Sequence, residues 1–373
     1  MKSKIWIIIA AMTFLASCSI DELDPAVSNE KDIATNIRNL EDLQGIANGI
    51  YDRMTVTNYY GRNQIINGEV RADNCFANGK SGRFLNEAAM KVSPDASNGP
   101  RDAMYAVIAS CNIIIGQDPA KLEGDQQKIR QVIGQAYLAR ALAHFDLLKL
   151  FGQQHTGGNL GIPYIKEYVS VQTAPVRNSV DENRAAIYED IEAGLALMTE
   201  TNNPKTKQQI STFTGQALKA RIALYFKEWE KAKTASLAVI NSGKFPVVDS
   251  ANFVASWKTK NSSNSIFELA FSTSDNLGIN GLQNIYRGSM YGDIEVLDNL
   301  LTVFDEKDVR KSAGMFGYET VSGVKRLRNL GKYPAADFSD NVVLFRIEEQ
   351  FLILAEAKME LGETDALDFL NKN

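Results

Sequence analysis

Gly134-Gln135-Ala136-Tyr137-Leu138-Ala139-Arg140-Ala141-Leu142-Ala143-His144-Phe145 can be laid over Gly215-Gln216-Ala217-Leu218-Lys219-Ala220-Arg221-Ile222-Ala223-Leu224-Tyr225-Phe226. The shared frame is Gly-Gln-Ala-x-x-Ala-Arg followed by Phe. Small residues at this spacing let two helices approach closely, and the large ones fill the groove between them. Arg140 and Arg221 occupy the same place in the two copies and are expected to brace neighbouring segments, with no catalytic role.

The second copy continues with Ala235 and Val239 and ends at Pro246. That order of small, aromatic, small, large and proline is close to a tetratricopeptide hairpin, whose period is about 34 residues. Leu354, Ala357, Ala366 and Leu370 echo it, with Leu361-Gly362 at the turn. Trp229, in a hairpin beside Ala232, reads as core.

Around these repeats, Asn36 is positioned to cap a helix running to about Met54, with Leu40, Leu43, Ile46, Ala47, Ile50 and Met54 on one stripe. From Tyr59 to Pro100 the periodicity dissolves into Gly, Asn, Asp and Ser, with turn signals at Ser93-Pro94-Asp95 and Asn98-Gly99-Pro100. Helix returns from about Arg101 to Ile115 and again from about Val180 to Met198. Ser265 to Ser272 reads as a short strand, and loops dominate until about Val342. The expected class is mostly α: a tetratricopeptide-like helical-repeat scaffold with a loop-rich, partly β region laid over it.

Lys2 and Lys4 precede an apolar run, Ile5 to Leu15, that is too short to span a bilayer, which takes about 20 residues. Leu15-Ala16-Ser17-Cys18 follows and resembles a bacterial lipobox, which makes residues 1–17 a lipoprotein signal peptide and Cys18 the lipid attachment site. Ser19, Ile20, Asp21 and Glu22 resemble the surface-export signal of Bacteroidetes lipoproteins. Residues 18–373 are then expected to form a single domain. The chain carries 40 basic and 45 acidic residues for a net charge of -5, which argues against nucleic acid as a partner. Cys75 and Cys111 remain for a disulfide or for packing, and packing is the reading preferred for Cys111. With two histidines, His144 and His155, a histidine metal cluster is not expected. No P-loop, zincin helix or G-x-S-x-G elbow is present, so no cofactor is expected and no catalytic residue is assigned. A carboxylate pair for glycoside hydrolysis is the enzymatic alternative.

Leu23-Asp24-Pro25 after the lipobox resembles the opening of the SusD/RagB family of outer-membrane nutrient-binding lipoproteins. Further resemblances follow in the family's order: Arg140 to Leu147, Phe151-Gly152, Gly161-Ile162-Pro163-Tyr164, Ala185 to Ile191, Thr214 to Pro246, Val343 to Glu349 and Leu354-Ala355-Glu356-Ala357. Together they cover nearly the whole chain. Family members continue beyond a Leu-Asn like Leu370-Asn371, so the C-terminal end is expected to be incomplete. The resemblance implies a protein facing the cell exterior on the outer membrane. It would hold a glycan, or in some members a peptide, over a SusC-like TonB-dependent transporter. A tetratricopeptide-like scaffold without small-ligand capture is the reading from a different class.

Sugars offer C–H faces for aromatic stacking and hydroxyls for amide, carboxylate and guanidinium groups. Two loop regions hold both kinds of residue. One has Arg71, Asp73, Asn74, Phe76, Arg83 and Phe84; the other has Asn276, Asn280, Gln283, Tyr286, Arg287, Tyr291 and Asp293, then Phe316 and Tyr318. The candidate ligand residues are Arg71, Asp73, Asn74, Phe76, Arg83, Tyr286, Arg287, Tyr291 and Tyr318, with Trp257 as the one tryptophan able to form an exposed platform. Asp305-Glu306-Lys307-Asp308-Val309-Arg310 reads as a structural salt bridge because it lacks the alternating ligands and glycine of a calcium loop.

Overall fold

The computed structural model describes residues 37–169, 174–287 and 291–372. The signal segment 1–17, Cys18, Leu23-Asp24-Pro25 and Asn36 lie outside the described residues. Arg38–Asn373 clusters as one compact unit. The helices of eight residues or more are α1 (Leu40–Met54), α2 (Asn63–Val70), α3 (Pro94–Ile115), α4 (Gln126–Phe151), α5 (Val180–Leu197), α6 (Thr212–Tyr225), α7 (Trp229–Ile240) and α8 (Ile347–Glu360). Among the described residues no helix is long and apolar enough to cross a membrane.

Asn39 is the cap of α1: its side-chain oxygen accepts from Asp42 N at 2.9 Å and satisfies one of the N–H groups a helix start leaves unpaired. Leu43, Ala47, Ile50 and Met54 form the buried stripe of this helix, which packs on α3 and α4. α3 starts at Pro94, seven residues before the expected Arg101, and runs through Pro100. Pro94 thus stands at a helix start, where proline's missing N–H costs little, while the Asn98-Gly99-Pro100 turn signal is overridden inside the helix.

α4 is buried on most of its circumference, because α3 and α5 flank it. A Cβ on Gly134 would lie 2.4 Å from Met198 Cγ and 2.7 Å from the Gly194 carbonyl oxygen, and one on Gly194 would lie 2.9 Å from the Gly134 oxygen. The backbones of α4 and α5 thus meet where the repeat begins. Gly215, its counterpart, faces Leu195 and Leu138 equally closely. Gly134→Val is expected to cost about 1–3 kcal/mol by overpacking. Gly45→Ala, with open space around it, should be neutral or slightly stabilising. Urea midpoints of the two variants check this.

In the second hairpin Ala220, Ala223, Ala232 and Ala235 pack with Ile353 and Ala357 of α8, and Trp229 and Leu224 close the cluster. Both arginines of the shared frame act as braces. Arg140 donates to Asp190 through Nε at 2.8 Å and Nη2 at 2.6 Å, and to Asn112 Oδ1 at 2.7 Å. Arg221 does the same to Glu349 at 2.5 and 2.6 Å and to the Leu344 carbonyl at 2.5 Å. Asp308 and Arg310 form the expected ion pair at 2.5 Å.

Three two-stranded antiparallel sheets complete the fold among the described residues. β1 (Cys75–Ala77) pairs with β3 (Ile294–Val296), β2 (Ser265–Leu269) with β6 (Val342–Arg346), and β4 (Phe316–Val321) with β5 (Val324–Asn329). The β4–β5 hairpin stands where loops were expected. Its turn, Ser322-Gly323, has φ of 50° and 77°, and two successive positive angles match the right-handed twist of flanking strands. Cys75 and Cys111 are both buried and unbridged.

Candidate functional site

β1 and β3 are three residues each, yet they join the two loop regions that hold the candidate residues. Cys75 faces Val296, Phe76 faces Glu295 and Ala77 faces Ile294. Asn78 then reaches the Gly292 carbonyl at 2.8 Å and Glu295 at 2.5 Å, which locks the junction beyond the ladder. Glu295 also takes Arg326 of β5 at 2.6 Å, so the hairpin is tied to the same seam.

On this seam Arg83 is the central side chain. Its guanidinium lies 3.6 Å from the centroid of the Tyr291 ring. It donates to Asp293 Oδ2 at 2.9 and 3.2 Å and to Asn280 Oδ1 at 3.1 Å. Phe84 follows with φ of 62°, an uncommon conformation for an aromatic residue that costs of order 1–3 kcal/mol and concentrates at functional sites. Its ring lies under the Arg62 guanidinium at 5.4 Å. Arg62 in turn donates to Asn280 Oδ1 at 3.3 Å. Phe76 and Tyr318 are 37% and 47% exposed, and the Tyr318 hydroxyl donates to Asp298 at 3.2 Å. Around Arg83 the arrangement brings together an aromatic ring, guanidinium donors and an amide, the set a sugar needs, and Phe76 and Tyr318 are exposed on β1 and β4.

Arg62 was not among the candidates. It precedes α2 in the turn Tyr59-Tyr60-Gly61-Arg62, and the two tyrosine hydroxyls donate to buried Asp146 of α4 at 2.7 and 2.5 Å. Gly61 sits so close to the Thr55 carbonyl that a Cβ would lie 1.9 Å from its oxygen. The turn is thus pinned to the scaffold. The run of two tyrosines and a glycine at the head of the irregular stretch was the available signal.

The other candidates are dispersed. Arg71 lies in a separate cleft of about 290 Å³ with Asn63, Gln64, Lys91, Lys149 and Phe151. Asp73 and Asn74 are exposed, and Asn74 uses its carbonyl to accept from Leu297 N at 2.9 Å. Tyr286 is 1% exposed, donates to Glu69 at 3.2 Å and lies parallel to Tyr333. Its short helix, Leu282–Tyr286, turns the ring inward. Arg287 is also buried and donates to the carbonyls of Leu330, Lys332 and Tyr333. It fastens a loop in which Tyr333 has φ of 55°. These two side chains are internal supports and do not reach a ligand surface. Trp257 is no open platform either: Arg346 lies 4.3 Å and Lys332 5.0 Å from its ring, and Phe253 meets it edge-on.

A family model described as SusD-like, starch-binding and associating with the outer membrane, matches residues 23–224, more than half of the chain. SusD-like protein P2 of Formosa agariphila is 26% identical over 250 residues, which are 65% of this chain and 46% of that protein. The chain thus spans about half the length of the curated relatives it matches. A SusD superfamily crystal structure from Bacteroides vulgatus superposes with a TM-score of 0.81 at 26% identity, covering 90% of this chain and 79% of that one. The surface glycan-binding protein A of Bacteroides fluxus shares the fold, with a TM-score of 0.72 at 21% identity over 90% of this chain and 80% of that one.

Proposed function

The chain belongs to the SusD-like family, and on that premise we propose that it is a surface-exposed outer-membrane lipoprotein, anchored through Cys18, that captures a glycan and passes it to a SusC-like TonB-dependent transporter. The observation that carries the ligand part is the seam itself. Two loop regions about 200 residues apart in sequence meet through β1 and β3, Arg83 joins Asn280 and Tyr291 there, and Phe76 is exposed on β1. Arg83 and Asn280 bond hydroxyls, while Phe76 and the Tyr291 face turned away from Arg83 offer ring surfaces. Arg83 is held rigidly by Asp293 and Tyr291, so little side-chain freedom is lost on binding. The rigid scaffold beneath leaves its helical faces for the transporter. The protein acts by binding, with no catalytic step assigned to it.

The test is titration of the mature domain, lacking Cys18, against panels of soluble glycans and peptides, with product analysis of every hit. Saturable glycan binding without cleavage is the expected result. Tyr291→Ala should weaken it about tenfold, or about 1.4 kcal/mol, whereas Tyr168→Ala, an exposed aromatic on the α4–α5 connection, should not. Peptide hits alone would move the ligand class. Product release would make the protein an enzyme. A folded sample that bound neither would favour a scaffold role.

A further inference from the structure

Resting on the glycan-capture reading, we propose that Arg62 and Arg83 form an oxyanion-selective subsite, so that the captured glycan carries a carboxylate or sulfate ester on the sugar bound at this seam.

The charges around Arg62 do not balance. Two guanidinium groups converge on one amide oxygen, Asn280 Oδ1, at 3.3 and 3.1 Å. The carboxylate at hand, Asp293, is taken by Arg83 through Nε and Nη2. Its other oxygen, Oδ1, is buried away without a partner. Arg62 has Asn63 Oδ1 at 2.9 Å, the shared Asn280 oxygen and the Phe84 ring, all of them neutral. Among the described residues no carboxylate comes within ion-pair distance of it.

A half-buried cation next to a second cation is unfavourable unless an anion arrives. Burial and the neighbouring Arg83 push the Arg62 guanidinium down to about 10, although Asp293 and Glu87 oppose this from a distance. A sugar hydroxyl can accept a hydrogen bond from Arg62 but leaves that charge uncompensated. A carboxylate or sulfate neutralises it and fits the planar fork of donors. The excess is local, since the whole chain carries -5. The positive φ of Phe84 places the ring that Arg62 rests on, so the strained backbone serves the same pair.

The experiment measures the affinity of the mature chain, carrying Cys18→Ala, for galactose, galacturonate and galactose 6-sulfate by NMR titration. At least one anionic sugar is expected to bind ten or more times more tightly than galactose. Raising sodium chloride from 50 to 500 mM should weaken that binding and leave galactose unchanged. A preference for galacturonate alone assigns a uronate, and one for the sulfate alone a sulfate ester. Arg62→Gln should bring the anionic and neutral sugars within twofold of each other; Arg62→Lys, which keeps the charge without the fork, should retain part of the preference. Urea unfolding of each variant shows that the site is still folded. Equal binding of all three sugars, a preference untouched in Arg62→Gln, or no binding of any of them overturns the proposal. Neutral oligosaccharides captured in the glycan panel independently of Arg62 would overturn it too while leaving glycan capture intact.

Discussion

Asp190→Ala is expected to lower the unfolding free energy by about 3–5 kcal/mol, the range for breaking one side of a buried ion pair. Arg140 and Asp190 are both almost fully buried and joined by two short hydrogen bonds. Arg140 also holds Asn112 Oδ1 and the Lys166 carbonyl, and Tyr164 donates to Asp190 at 2.6 Å. Removing the carboxylate strands a guanidinium that has no path to water. The cost comes from that stranded charge, whatever the pair itself contributes. A nearby control separates the two effects: Lys166 and Glu189, the residue before Asp190 in α5, form an ion pair at 2.7 Å, but both are exposed. Glu189→Ala should therefore cost no more than about 1 kcal/mol. Guanidinium unfolding of both variants reads the difference. Equal small losses would mean that water reaches Arg140.

Acid should destabilise the protein through His144. The ring is fully buried, stacked on Tyr164 at 3.7 Å, and hydrogen-bonded at both nitrogens. Nδ1 faces the Arg140 carbonyl at 3.0 Å and so donates; Nε2 accepts from Ile165 N at 3.1 Å. A second proton has no place to go without breaking the Ile165 bond. Burial, and then the charge of Arg140, lower its pKa from 6.5 to about 3. Below pH 6.5 the unfolded chain takes up a proton that the native state refuses until about pH 3. The associated stability is complete above pH 6.5 and is lost as pH falls towards 3. Between pH 6.5 and 4 this amounts to about 3 kcal/mol. His144→Gln keeps a donor and an acceptor without the titration. Its stability should be lower at pH 7 but flatter with pH, so the two curves converge on acidification. Parallel curves would show that His144 is protonated in the native protein.

The helical part was legible because its signal is local and repeated. Gly-Gln-Ala-x-x-Ala-Arg announces a close helix contact and an internal brace, and both are found at Gly134, Arg140 and Arg221. Boundaries were less so: Asn36 and Asn39 are equivalent as caps to a sequence pattern, and only packing selects Asn39. The β4–β5 hairpin had a readable turn in Ser322-Gly323. The β1–β3 seam had none, since three residues show no alternation and the partner lies more than 200 residues away. Composition singled out two loop regions that β1 and β3 join, but it does not give the direction of each side chain. Tyr286, Arg287 and Trp257 have the residue types of a sugar site and were turned inward or covered by distant elements. Arg62 escaped because its position depends on Tyr59 and Tyr60 reaching Asp146, a contact over more than 80 residues.

The most direct test of the central claim, that the seam between the two loop regions holds the glycan, is a crystal structure of the mature domain with the tightest-binding glycan from the panel. A sugar ring is expected within hydrogen-bond distance of Arg83 or Asn280, with Tyr291 or Phe76 against its C–H face. A glycan seated elsewhere, with the seam untouched, would contradict it.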